Sequence, residues 1–293
     1  MASASKSLST FLQVQGPVIR VSLTRVRGSS PRNEGTEMFV SAQGLRGTIG
    51  GGQLEHLAIE QARDMLCAGI LDKDMDVPLG PEIGQCCGGR VELSLSRMRP
   101  SDKRAAQLRA DNSDAALPHV YVMGGGHVGR ALANLFQHLP VRCIVIDTRA
   151  QELEFCQSDV ECRVSAIPEV DIMTAPSDSA FIVLTHDHGL DFLLTSSALE
   201  RGDARYVGMI GSGTKRTKFR NWARKHCGGQ TIENLNCPIG ASGSRDKRPS
   251  VIASFVVAEV MAELTSETAA TAPYGALDAP ASGQHQGQQG ISG

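Results

Sequence analysis

The residues of this 293-residue chain best suited to chemistry fall in four short stretches. The first is Gly124-Gly125-Gly126-His127-Val128-Gly129, a G-x-G-x-x-G turn with a β-type apolar run before it and an amphipathic helical pattern after it. In such a turn the first glycine permits the bend, the second lets the backbone approach a phosphate, and the third lets the helix close on the strand. The helix start then offers unpaired N–H groups and a positive dipole end to the anion. Asp147 ends the next apolar run, eighteen residues beyond Gly129. A carboxylate there is placed to accept hydrogen bonds from a ribose. Gly124, Gly126, Gly129 and Asp147 are therefore expected to hold a nucleotide-like ligand.

The second stretch, Gly208-Met209-Ile210-Gly211-Ser212-Gly213-Thr214-Lys215-Arg216, also follows an apolar strand pattern. Backbone amides, the Ser212 hydroxyl and the cations Lys215 and Arg216 converge there, as an anionic ligand requires. The more distal Arg224 and Lys225 read as a solvated basic face. The third stretch, Thr185-His186-Asp187-His188, sits just past the apolar run FIVLT, where open α/β sheets place their ligands. His186 and His188 are secondary metal candidates, but on extended backbone they point to opposite faces. A polar pocket edge is the expectation, and no metal site is assigned. The fourth is the adjacent pair Cys86 and Cys87. Most of the other cysteines, at 67, 143, 156, 162, 227 and 237, read as small buried hydrophobes.

The elements that position these groups divide into two blocks, as the length allows at roughly 100–200 residues per domain. Residues 11–98 read as a small α+β domain, with an alternating strand over 17–27, short strands near 37–42 and 46–49, a helix after Gly52 that Gly69 can stop, and a strand over 90–95. Residues 99–117 are polar and carry no apolar period, so they read as a linker. Over 118–265 strands and helices alternate, which predicts an α/β, Rossmann-type parallel sheet with helices on both faces. Residues 266–293 turn to Ala, Gly, Ser, Gln and Pro and read as a disordered tail.

Composition narrows the classes. A net charge of −2 removes the whole-chain electrostatic footprint of a nucleic-acid binder. No apolar run approaches the ~20 residues that span a bilayer, and the first fifteen residues lack the apolar core of a secretory signal. A cytoplasmic protein is expected, with neither nucleic acid nor membrane as partner. No C-x-x-C pair occurs, which argues against a structural zinc site.

Three first-block segments add a further pattern: Arg27-Gly28-Ser29-Ser30-Pro31-Arg32, Gly47-Thr48-Ile49-Gly50-Gly51-Gly52-Gln53-Leu54-Glu55, and Gly84-Gln85-Cys86-Cys87-Gly88-Gly89-Arg90. Each closes a predicted strand with glycines that allow close backbone approach. Taken in order with VMGGGHVGRAL, LTHDHGLD, YVGMIGSGTKR and CPIG…KRPSVIA, they resemble the xanthine dehydrogenase accessory protein XdhC family, over residues 18–260. The chain departs from many relatives at Ala241-Ser242-Gly243-Ser244, after the Cys-Pro-Ile-Gly.

The resemblance implies a chaperone rather than a catalyst. Such a protein binds the molybdenum cofactor (molybdopterin), protects it during sulfuration and inserts it into apo-xanthine dehydrogenase, with a cysteine desulfurase-type sulfur donor as second partner. The phosphate of molybdopterin suits the Gly124–Gly129 turn or the loop of Ser212, Lys215 and Arg216. The thiols of Cys86 and Cys87 suit the metal or an incoming sulfur. Molybdopterin has no ribose, so Asp147 keeps open a dinucleotide form of the cofactor, NAD or another nucleotide. The alternatives are an NAD-dependent oxidoreductase, with His127, His186 or His188 as proton donor, and a nucleotide-sensing regulatory scaffold. Homo-oligomerisation is expected, since the glycine-rich domain can cap a Rossmann pocket of its own or a second chain.

Overall fold

A computed structural model describes residues 4–80, 88–241 and 244–266. The chain divides into two compact units, residues 1–117 and a second unit that begins at Pro118.

In the first unit helix α1 (Ala4–Val14) leads into strands β1 (Val18–Arg27), β2 (Glu37–Ser41) and β3 (Leu45–Gly47), helix α2 (Gly52–Ala68), strands β4 (Asp72–Pro78) and β5 (Arg90–Arg97), and helix α3 (Pro100–Ala115). The five strands form one antiparallel sheet in the order β3-β2-β1-β5-β4. Alternation in β1 sends Ile19, Val21 and Leu23 to the face covered by α2, where they meet Leu54, Ala58, Ala62 and Met65. Val18 points the other way, toward Leu8 and Leu12 of α1 and Ala106 of α3.

The stretch 99–117 is therefore a helix against the sheet, not a linker. Its sequence lacks an apolar stripe because polar groups tie it to α1. Lys103 donates to the carbonyls of Leu12 (3.1 Å) and Gly16 (3.2 Å), and Asp114 accepts from the Ser5 amide (2.9 Å). Pro100 opens the helix, and the Asp102 carboxylate caps the Arg99 amide at 2.8 Å. Helix α1 and strand β4 likewise fall outside the elements the sequence pattern suggests. The latter is an edge strand with only Val77 buried.

The second unit runs β6 (His119–Met123), α4 (His127–Phe136), β7 (Arg142–Asp147), α5 (Ala150–Glu154), β8 (Glu161–Val164), α6 (Pro168–Met173), β9 (Ala180–Val183), α7 (His188–Glu200), β10 (Tyr206–Met209), α8 (Gly213–His226), β11 (Leu235–Asn236) and α9 (Pro249–Thr265). All its strands are parallel, in the order β11-β10-β9-β6-β7-β8. Counted within the unit this is 3-2-1-4-5-6 from the β8 edge, the doubly wound dinucleotide-binding arrangement, with its switch point between β6 and β9. Leu132, Phe136, Val256 and Val260 pack one face through α4 and α9. Ile172, Leu194, Phe219 and Ala223 pack the other through α6, α7 and α8. Helices cover both faces, as the alternating pattern predicts. Strands β8 and β11 are additions to it: four and two residues long at the sheet edges, too short to carry a period.

Residues 81–87, which include Cys86 and Cys87, and the stretch 267–293 lie outside the described residues. Among the described residues no helix is long and apolar enough to cross a membrane.

The helical reading of 100–115 has a direct check. Ala106 is 2% exposed and Leu108 61% exposed. Ala106→Asp buries an unpaired charge and should lower unfolding free energy by more than about 2 kcal/mol, whereas Leu108→Asp should stay within about 0.5 kcal/mol. Equal, small effects in chemical denaturation would return this segment to a linker.

Candidate functional site

The loop after β6 is held by backbone-to-backbone packing that only glycine allows. Gly124 has φ +135°, and its amide donates to the Ile146 carbonyl at 2.7 Å. A Cβ on Gly124 would lie 2.5 Å from the Leu184 carbonyl oxygen, in the loop after β9. A Cβ on Gly129 would lie 1.9 Å from the Gly124 carbonyl oxygen, so the first turn of α4 rests directly on the turn that precedes it. Gly126 differs from both: a Cβ there meets nothing within 4 Å. It is the N-cap of α4, no side chain caps that helix start, and the first turn carries no acidic residue. The first and third glycines are thus required by the fold, and the second faces open space beside unpaired amides.

Asp147 is tied into the same turn. Its carboxylate accepts from the Gly125 amide (2.8 Å), from the Arg149 amide (2.9 Å), and from Arg149 Nε and Nη2 (3.1 Å each). Burial pushes the carboxyl pKa up, but the Arg149 side chain and the two amides outweigh it and hold the group below the usual carboxylate range. Around this pair, Glu152 accepts from Arg130 Nη1 at 2.9 Å and pairs with Arg149 at 3.4 Å. Arg130 Nη1 also donates to the Gly125 carbonyl at 2.7 Å. Arg149, Glu152 and Arg130 are site residues that motif reading passed over. The spacing of Arg149, two residues after the strand-ending acid, was the available signal.

Between the ends of β6, β7 and β9 lies a small cleft with Met123, Ile146 and Leu194 in its lining and Asp147, Thr148 and His186 at its polar edge. It sits at the switch point, where ligands of open α/β sheets bind.

Lys215 and Arg216 do not stand free beside this cleft as the sequence pattern suggests. Lys215 is buried and pairs with Asp191, while also donating to the Ile210 carbonyl at 2.9 Å. Asp191 is 1% exposed, and its other oxygen accepts from the Thr185 amide (2.8 Å) and hydroxyl (2.7 Å). Arg216 gives its guanidinium to the carbonyls of Leu235, Ile232 (3.2 Å) and Cys237 (3.5 Å), pinning the loop into β11. Ser212 caps α8, its hydroxyl accepting from the Lys215 amide at 3.3 Å. The partner Asp191 lies twenty-four residues from Lys215 in sequence, so local reading cannot see it. Both cations therefore brace loops.

His186 and His188 are exposed at the start of α7, and Asp187 between them is the helix N-cap, accepting from the Leu190 amide at 2.8 Å. Among the described residues no group of three or more His, Cys, Asp or Glu side chains could hold a metal ion.

In the first unit, described residues of the second and third glycine segments meet the first, 27–32. A Cβ on Gly89 would lie 2.1 Å from the Ser29 carbonyl oxygen, and one on Gly50 would lie 2.5 Å from Pro31 Cγ. Glu55 fills the turn before α2: one carboxylate oxygen accepts from the Thr48 hydroxyl (2.5 Å) and the amides of Ile49 and Gly51 (3.1 Å each).

Two measurements test these roles. Lys215→Met leaves Asp191 buried without its cation and should cost about 3–5 kcal/mol in denaturant unfolding. Adding Asp191→Asn should recover more than half, because the amide oxygen still accepts from Thr185; a strictly additive double variant refutes the pair. For Asp147 the folded-state pKa is depressed, so its contribution exists above the unfolded value of about 3.9 and is lost as pH falls through the folded value. Asp147→Asn should cost about 1–3 kcal/mol at neutral pH. That gap should close on acidification, and a gap constant with pH rules the account out.

Comparison with known proteins agrees with this architecture. A family model described as the XdhC Rossmann domain matches residues 120–260, and one described as the XdhC and CoxI family matches residues 12–71. An Escherichia coli (strain K12) protein named uncharacterized protein YqeB is 25% identical over 256 residues, which are 84% of this chain and 43% of that protein. The chain thus spans less than half the length of that relative. A solved chain from Bacillus halodurans, described as a xanthine dehydrogenase, has a TM-score of 0.75 at 17% identity, covering 93% of this chain and 98% of that one. At that identity the likeness concerns the fold. With both family models matched in chain order, one to each unit, the chain belongs to the XdhC family.

Proposed function

We propose that this chain is an accessory protein that binds the molybdenum cofactor, shields it during sulfuration and delivers it to apo-xanthine dehydrogenase. The observation that carries the reading is the open step at Gly126 in a chain of the XdhC family. Molybdopterin presents one terminal phosphate, and the uncapped start of α4 offers amides with no acidic residue in its first turn. The Gly125–Asp147 hydrogen bond fixes the turn for that contact. The cleft edge at Thr148 and His186 would orient the body of the ligand. When bound, the cofactor supplies the redox chemistry that its recipient enzyme uses; the residues here bind and orient it. Cys86 and Cys87 are our candidates for its metal end or for sulfur arriving from a cysteine desulfurase-type donor. Delivery from a self-associated form is part of the same proposal.

One observation favours a second reading. Asp147 ends the second strand of the unit, the place of a ribose acceptor, which suits NAD, a nucleotide sensor or a dinucleotide cofactor. Against it, Arg149 holds two side-chain contacts to that carboxylate, so a ribose diol must displace a guanidinium whereas a phosphate at Gly126 need not.

Gly126→Ala separates binding from folding, because φ −68° accepts alanine and the added methyl meets no protein atom. Protein purified from cells that make the cofactor should release pterin, read by its fluorescence after oxidation. Gly126→Ala should keep its melting temperature and lose more than about tenfold in bound pterin, equivalent to ~1.4 kcal/mol. No pterin on the wild-type chain, with full dehydrogenase activity in a strain lacking it, would sink the proposal. Saturable NAD or NADH binding in its place would install the second reading.

A further inference from the structure

Away from the glycine turn, the β8 edge of the second sheet gathers three of the chain's eight cysteines. The parallel register of β7 and β8 pairs Cys162 with Val145, so Cys162 lies on the same face as Val145 and Cys143. That face is packed by the core that includes buried Cys143 and Val145, and Cys156, two residues past α5, packs against it half-buried. The chain therefore leaves α5, folds back through 157–160 and enters β8 with the Cys156 and Cys162 thiols side by side. Cys162 is exposed to solvent, so the pair has an open approach, while Cys143 behind it is buried. Among the described residues no third ligand joins them to hold a metal.

We infer that Cys156 and Cys162 form a dithiol that peroxide can close to a disulfide across the α5–β8 connection. One thiol transfers its electron pair to a peroxide oxygen, becoming a sulfenic acid and releasing water. The second sulfur displaces the sulfenic hydroxyl, which leaves as a second water carrying the remaining thiol proton. Two electrons pass from the sulfurs to the peroxide, and the S–S bond replaces two S–H bonds. Burial and the neighbouring Cys156 thiol push the Cys162 pKa up to about 11, so at neutral pH that thiol is protonated and a weak nucleophile, and its reaction with peroxide is slow. Oxidation is then a response to a sustained peroxide load rather than to a trace.

The location gives the event a consequence. Helix α5 carries Glu152, which holds Arg130 and Arg149 around Asp147. A bond from Cys156 to β8 tethers the chain just beyond that helix. The inference stands on the cysteine cluster and is independent of what the glycine turn binds.

Trypsin leaves both thiols in one peptide, 150–163, because Arg149 and Arg163 flank them. The full-length chain would be treated with hydrogen peroxide, alkylated without reductant, digested and weighed. The expected product is that peptide lighter by two hydrogens than its reduced, unalkylated form, restored to the doubly alkylated mass by prior reduction. Cys162→Ser, at an exposed position, should abolish the product and let Cys156 proceed to sulfinic acid. Cys143→Ala should leave the product intact. Independent alkylation of both thiols after peroxide treatment, or Cys143 as the partner in the bridge, overturns the inference.

Discussion

The second unit depends on one close approach, the Gly124 carbonyl pressed against Gly129 at the first turn of α4. That contact sets how near α4 can come to the sheet, and α4 with α9 supplies most of one face of the core. It also brings the post-β6 loop against the Leu184 carbonyl, which closes the switch point from the β9 side. The Gly125 amide, turned by the same bend, finds Asp147, and Asp147 then orders Arg149, Glu152 and Arg130. Packing and polar network are consequences of one steric permission, since no side chain fits at either glycine.

Much of this was legible from residue types alone. The glycine turn, its strand and its helix could be placed because each glycine answers a local geometric demand that its neighbours reveal. The buried strands β6, β7, β9 and β10 announce themselves as continuous apolar runs, as parallel strands covered on both faces must. What escaped reading were elements whose stabilisation is not apolar or not local. Helix α3 is tied down by Lys103 and Asp114 rather than by a stripe of large side chains. Strands β8 and β11 pair too few residues to show alternation.

The site was legible in the same uneven way. Glycine roles follow from backbone sterics, which are local, whereas the use of a charge depends on what lies opposite. Lys215 and Arg216 looked available in sequence because Asp191 and the carbonyls of 232–237 are distant along the chain. Asp147 sits where a ribose acceptor belongs, but Arg149 engages its carboxylate. A motif names the backbone, and the fold decides which side chains remain uncommitted.

The Glu55 turn shows what that decision does to selectivity. Among the glycine-rich helix starts, those before α2 and before α4 make a direct comparison. At the first, a carboxylate from one turn along already occupies the amides of Ile49 and Gly51. A tethered anion acts at an effective concentration of millimolar or higher, so a dissolved phosphate competes poorly for that seat. At the start of α4 the Asp147 carboxylate takes the Gly125 amide, and no side chain caps the helix itself. Of two turns with similar backbone appetite for negative charge, one is answered by a carboxylate of its own helix and the other, at Gly125, by a carboxylate from the end of the next strand.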